Sequence, residues 1–276
     1  MGTKLLALLE VTRPHSALAA ALATWVGARQ AGAAPSATWF LAIAVTWLLA
    51  AAGNSYNDSR DAMIDAVNRP GRPVPSGRLS SAAAARLAHA CAGIALALAV
   101  PLGTLSIVGT AAGILLLYGY SSGLRNIPLV GNAVVGGLSA MAVVYGGVVG
   151  GNVWAVWPMA ALACLLVVIR EVLKTIPDET GDRLANLRTV ATFWGTERAI
   201  TAVMWGGLFL AVVPAARWAL GPPLTARNII LAAVYYLGLA YGVLCLWHKP
   251  TTQTAKHLVA ASKAWLFALL AVMFLT

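Results

Sequence analysis

Seven of the nine acidic residues in this 276-residue chain fall in two short clusters. The first lies in N-D-S-R-D-A-M-I-D and supplies Asp58, Asp61 and Asp65. The second lies in R-E-V-L-K-T-I-P-D-E-T-G-D and supplies Glu171, Asp178, Glu179 and Asp182. Carboxylates crowded in this way repel one another unless something neutralises them. Hard divalent cations do so well, and Mg2+ takes a few carboxylates together with water and phosphate oxygens. Arg69, Arg72 and Arg78, with Arg125 and Lys174, are available for the remaining phosphate oxygens. The ligand implied is a diphosphate bridged by metal to two aspartate clusters.

Spacing supports part of this geometry. Asp58, Asp61 and Asp65 recur at i, i+3 and i+7, which is one face of a helix. Asn54 and Asn57 stand a turn or less before Asp58. Asp178 and Asp182 are four apart and share a face if their segment is helical, but Pro177 is expected to break a helix there. Asp61 is also placed to pair with Arg60 or Arg69, which would take it off the metal. Glu171 and Glu179 read as structural or surface residues.

The elements that position these acids are membrane spans. The chain is 60% hydrophobic and 10% charged, with a mean hydropathy of +0.79. A soluble domain carries about 25% charged residues. Long apolar runs mark membrane-crossing helices. Nine spans are expected, near 15–33, 37–57, 81–102, 105–121, 129–150, 153–173, 198–219, 228–247 and 256–275. The expected fold is therefore an all-α integral membrane protein, with residues 1–276 forming one domain. Only two connections are long, 58–80 and 174–197, and both carry the acids. Spans 2 and 6 run parallel, so both clusters emerge on the same side, as in a weak internal duplication.

The net charge of +10 does not point to nucleic acid, because the cations sort by topology. Fifteen of the 19 Lys and Arg residues fall on the side holding the N-terminus and the acidic connections. The positive-inside bias puts that side in the cytoplasm. Lys263 is the main ionisable residue in the middle of a span. The Ala-rich, Arg-over-Lys composition suggests the cell membrane of a GC-rich bacterium. No cleavable signal peptide is expected. Cys91, Cys164 and Cys245 read as small core residues, and His15 and His89 as polar fillers near helix ends.

Trp39, Trp154, Trp157, Trp218 and Trp247 stand near span ends and read as interfacial anchors. Trp194 lies in the second acidic connection and could cap a cavity. Tyr118, Tyr145 and Tyr236 are candidates to face an apolar ligand or to pack. The glycines of span 5 fit either close helix packing or room for a ligand.

Several segments together resemble the UbiA prenyltransferase superfamily. N-D-S-R-D-A-M-I-D with N-R-P-G-R-P-V-P-S-G (57–77) is similar to its first signature, and D-E-T-G-D (178–182) to its second. Lys174 and Thr189 are also in register. Y-S-S-G-L-R (120–125), G-N at 131–132 and T-R-P-H (12–15) match as well. The resemblance implies nine helices around a central cavity with a cytoplasmic cap. It implies that Asn54, Asp58 and Asp65, with Asp178 and Asp182, hold a prenyl diphosphate through Mg2+, with Asp61 a further candidate ligand. Arg13, Arg72, Arg125 and Lys174 would grip the diphosphate, and Asn68 and Tyr120 would form its walls.

The implied reaction is transfer of an isoprenoid from an allylic diphosphate to an aromatic or lipid acceptor through an allyl cation. A terpene cyclase of the same superfamily would use the same metal site without an acceptor. A cation or solute transporter would place its charges nearer the bilayer midplane. The second motif is similar to those of archaeal-type geranylgeranylglyceryl-phosphate geranylgeranyltransferases, whereas Pro177 fits homogentisate prenyltransferases better. From Asn186 onward, N-L-R-T-V-A-T-F-W-G departs from both. Acceptor, prenyl length and oligomeric state are left open.

Overall fold

The structure is a computed structural model that describes residues 2–32, 34–219 and 225–275. Those residues form helices and connections, with no strand among them. The helices are α1 (Gly2–Val11), α2 (Pro14–Gln30), α3 (Ala37–Arg60), α4 (Ala62–Asn68), α5 (Ser81–Ala99) and α6 (Thr104–Ser122). They continue with α7 (Val130–Val149), α8 (Val153–Leu184), α9 (Val190–Trp194), α10 (Thr196–Ala219), α11 (Ala226–His248) and α12 (Thr252–Leu275). Among the described residues, seven helices are long and apolar enough to cross a bilayer, or up to eight if α1 and α2, bent by 42° at Arg13, make one span. α10 fills the expected span 198–219 but is not one of the eight on its described residues. The expected Gly221-Pro222-Pro223 joint lies outside the described residues.

The helices close around an interior space. α3 packs on α5, α2 on α7, and α7 on α8, while α12 returns to touch both α2 and α8. The α2–α3–α7 junction is tight and polar. Thr24 Oγ1 donates to Thr46 Oγ1 at 2.9 Å and to the Ala142 carbonyl at 3.0 Å. Gly146 of α7 sits against the backbone of Thr24, Gly27 and Ala28, where a Cβ would collide. Gly136 sits against the Val168 side chain and the Cys164 carbonyl of α8, and Gly147 against the Val156 side chain. The span 5 glycines at these positions serve close packing, as small residues do between membrane helices.

Two further features differ from expectation here. Pro177 does not end α8, which runs as one 32-residue helix through both Pro158 and Pro177. Proline removes a backbone donor, so the carbonyl one turn earlier loses its helical partner, but neighbouring contacts hold the helix together. Trp39 is not an interfacial anchor: it is buried and meets Trp25 edge-to-face at 5.3 Å. Trp154, Trp157 and Trp247 are exposed, as anchors should be. The Trp218 side chain lies outside the described residues.

Candidate active site

The break between α1 and α2 places the first functional side chain. Arg13 has φ 49° and ψ 70°, in the left-handed region. Pro14 disfavours a helical residue before it, and a non-glycine residue held in this region costs about 1–3 kcal/mol. The unusual backbone points the guanidinium at α3. There it pairs with Asp58 and donates to Asn54 Oδ1 at 3.4 Å. The Asn54 amide in turn donates to the Thr12 carbonyl at 3.0 Å, fixing the bend.

α3 carries Asp58 into the interior, and α4 carries Asp65. α3 stops at Arg60 and α4 starts at Ala62, so the expected single helix is interrupted at Asp61. The backbone bonds nevertheless run on, from Asp61 N to the Asn57 carbonyl and from Asp65 N to the Asp61 carbonyl. Asp58 and Asp65 therefore keep a common face. Both are buried, at 1% and 2% exposure, and Arg72 reaches both, Asp65 at 2.5 Å and Asp58 at 3.4 Å. Asp61 accepts from Asn57 and pairs with Arg125, not with the Arg60 or Arg69 that adjacency suggests.

The second cluster arrives on α8. Arg69 donates to Asp178 Oδ2 at 2.5 Å and reaches Asp65 Oδ1 at 3.5 Å. Asn68 ties the same two elements: its amide donates to the Asp178 carbonyl, and its Oδ1 accepts from Gly181 N, each at 3.2 Å. Asp182 is buried nearby, and Tyr120 and Lys174 complete the wall. Lys174 donates to Glu171 at 2.6 Å.

All twelve candidate residues line one cavity of about 1530 Å³: Arg13, Asn54, Asp58, Asp61, Asp65, Asn68, Arg72, Tyr120, Arg125, Lys174, Asp178 and Asp182. Arg78 does not. It forks onto Glu10 at 2.6 and 3.0 Å and onto the Gly71 carbonyl. Glu179 is held by Arg183 and Thr196, a structural role. Trp194 is not among the lining residues; Tyr145 is, but Tyr118 and Tyr236 are not. Tyr118 stacks on Tyr56 and bonds His89, while Tyr236 donates to the Ala211 carbonyl.

Sequence reading missed Arg170 and Tyr235 on this wall. The signal was a four-residue repeat: Arg170, Lys174, Asp178 and Asp182 form one stripe on α8 once the helix is carried past Pro177.

Charge in the site is balanced by proximity. Burial pulls the Arg72 guanidinium down and Arg13 adds to this, while Asp65 and Asp58 oppose them. Burial would also lower Arg69, but Asp178 and Asp65 overrule it and the net shift is upward. Both remain cations at neutral pH. Among the described residues, no three His, Cys, Asp or Glu side chains converge as a ready metal cage. Mg2+ does not require one, since it binds through one or two carboxylates and completes its shell with water and substrate phosphate. The oxygen donors of Asp58, Asp65 and Asp178, each paired with a displaceable guanidinium, suit that chemistry, and buried Asp182 adds another beside them.

Comparison with known proteins agrees with this architecture. The sequence pattern of the UbiA prenyltransferase family matches residues 17–269. A digeranylgeranylglyceryl phosphate synthase of Methanopyrus kandleri is 35% identical over 251 residues, covering 90% of this chain and 92% of its own. The apo structure of a UbiA homologue from Aeropyrum pernix K1 superposes with TM-score 0.75 at 21% identity, over 94% of this chain and 98% of the other. A UbiA homologue from Archaeoglobus fulgidus, solved with GPP and Mg2+, gives TM-score 0.68 at 16% identity over 96% and 99%. These two share the fold with this chain.

Proposed function

The chain belongs to the UbiA prenyltransferase family, and on that premise we propose a Mg2+-dependent transfer of an isoprenoid from an allylic diphosphate to a lipid acceptor inside the membrane. The whole chain is read as one nine-span domain. The distribution of Lys and Arg supports a cytoplasmic N-terminus and a site capped on that side. The observation that carries the proposal is the meeting of two distant aspartate motifs, with cations interleaved, at the head of one large cavity.

In this reading Asp58, Asp65, Asp178 and Asp182 hold Mg2+, with Asn54 beside them. Asp61 is the weaker ligand, being committed to Arg125 and Asn57. Mg2+ supplies positive charge to the departing diphosphate. Arg13, Arg72 and Arg125, with Lys174 at the edge, bind its oxygens, and Asn68 and Tyr120 shape its walls. Fixed cations aimed at a leaving group stabilise the transition state more than the ground state. The C1–O bond breaks and leaves an allyl cation. Leu162, Leu166, Leu231, Leu266 and Leu270 line the remainder of the cavity and keep water from that cation. The faces of Tyr145 and Tyr235 can stabilise it. An acceptor hydroxyl then captures it, and the proton of the resulting oxonium passes to the departed diphosphate.

The relatives support the lipid branch. The name of the Methanopyrus kandleri protein describes a product with two geranylgeranyl groups on glyceryl phosphate, so its acceptor is a lipid and not an aromatic ring. A 34% identical protein of Natronomonas pharaonis carries the same name. The test is to incubate detergent-purified protein with Mg2+ and geranyl, farnesyl or geranylgeranyl diphosphate, then measure diphosphate release and products by mass spectrometry. Turnover that waits for a glyceryl-phosphate lipid is expected. A cyclic hydrocarbon or terpene alcohol formed without acceptor would replace this reading with a cyclase.

A further inference from the structure

A second cationic group lines the same cavity, further along α8. Arg170 and Lys174 precede Asp178 by eight and four residues, which places them about 12 and 6 Å from it along the helix axis. Glu171 lies between them, buried at 7% exposure. It accepts from Arg170 Nη1 at 3.0 Å and from Lys174 Nζ at 2.6 Å. Arg170 Nε also donates to Ser262 Oγ of α12 at 3.2 Å. The next residue, Lys263, is exposed and lines the cavity. The strongest charges acting on it are Arg170, Lys174, Arg13 and Arg69, all positive. Among the described residues no carboxylate pairs with it.

The group therefore holds three cations against one carboxylate, an excess of two positive charges. Unbalanced charge inside a membrane span is costly and marks a functional position. Lys174 stands between the two groups and can serve both. The diphosphate reading assigns no role to Arg170, which lies two turns before Asp178 on α8, or to Lys263 on α12.

Resting on the prenyltransferase reading, we propose that Arg170 and Lys263, with Lys174 at the border, bind the phosphate monoester of the lipid acceptor. A phosphate monoester carries about −1.5 to −2 charges at neutral pH, enough to neutralise this group whether or not Lys174 is shared with the diphosphate. Ser262 fixes Arg170, and Glu171 keeps both α8 cations extended toward the cavity. The acceptor's hydroxyl, a few bonds from its phosphate, is then held beside the allylic carbon, and its tail shares the apolar part of the cavity. Recognition of the acceptor and of the donor's diphosphate would then meet at Lys174.

Binding tests this without turnover. Detergent-purified full-length protein is titrated with a monoalkylglycerol phosphate, the matching monoalkylglycerol and inorganic phosphate. An unreactive prenyl thiolodiphosphate with Mg2+ reports on the donor site. The wild type should bind the phosphorylated lipid at least about tenfold tighter than the alcohol. Lys263→Met and Arg170→Gln should each remove most of that preference, Lys263→Arg should keep it, and Lys263→Met should leave thiolodiphosphate affinity unchanged. Equal binding of the two lipids by the wild type, or a preference undiminished in both variants, overturns the subsite. Inorganic phosphate binding as tightly as the phosphorylated lipid would make it a free-phosphate site and overturn the lipid assignment. Failure of thiolodiphosphate to bind would count against the donor reading alone, with the subsite judged on the lipid titrations.

Discussion

Arg69 links Asp65 to Asp178, reaching the first at 3.5 Å and the second at 2.5 Å, although 109 residues separate it from Asp178. One guanidinium thus sets the separation of the two aspartate motifs. Beside it, Asn68 fixes the same two elements through the backbone of α8. The two motifs are held together by this pair of neighbouring residues.

Asp58→Ala and Asp178→Ala should each lower Mg2+-dependent diphosphate release by at least about 100-fold while the protein still inserts and folds. Chelation of Mg2+ should silence the wild type, and added Mg2+ should restore it. Diphosphate release at wild-type rate in both variants would remove these carboxylates from the site.

Asp61 should behave differently from its neighbours, because Arg125 and Asn57 already occupy it. Asp61→Asn should shift the Mg2+ concentration for half-maximal release by no more than about threefold, against at least about tenfold for Asp58→Asn. Mg2+ titrations of the two variants decide this, and equal shifts would make Asp61 a full metal ligand.

Arg72 neutralises two carboxylates that are almost wholly buried. Removing a partner of a buried charge is destabilising, and although Asp58 keeps Arg13 and Asp65 keeps Arg69, Arg72→Met should lower the unfolding temperature as well as activity. Arg78→Gln is the contrast: its pair with Glu10 is exposed on both sides, and such pairs contribute about 0–1 kcal/mol. Thermal unfolding and diphosphate release should both stay near wild type. A large loss of release in Arg78→Gln would return that residue to the phosphate site.

Gly181 leaves room for the Asn68 amide, which a Cβ would overlap. Gly181→Ala should displace Asn68 and slow release, and Asn68→Ala should do the same. Since both changes break one contact, their effects should not add. Rates for the two single variants and the double variant give the coupling directly. Additive losses would show that Asn68 and Gly181 act separately.

The polar half of this site was legible because charge in an apolar chain stands out. Arg13, Asp58, Asp65, Arg72, Asp178 and Asp182 were each marked by type and motif, and the structure gathers them around one cavity. What escaped depended on helix continuity or on distant contacts. Pro177 locally argues for a break, yet α8 continues, so the stripe that includes Arg170 stayed hidden. The Asp61–Arg125 pair spans 64 residues, and nothing local announces it. Trp39 stands where an anchor would, but burial against Trp25 is decided by how α2 meets α3.

The ion pairs of Arg13, Asp58, Asp65 and Arg72 also bear on how the chain is made. All four residues lie in the first 72, so they are translated long before α8. Two acids that are costly to bury alone thus have their countercharges available before the second motif is made. Asp178 comes more than a hundred residues later and meets an Arg69 waiting for it. Joining the two motifs then brings one late acid to a cation made early, alongside the Asn68 contacts that tie the same helices.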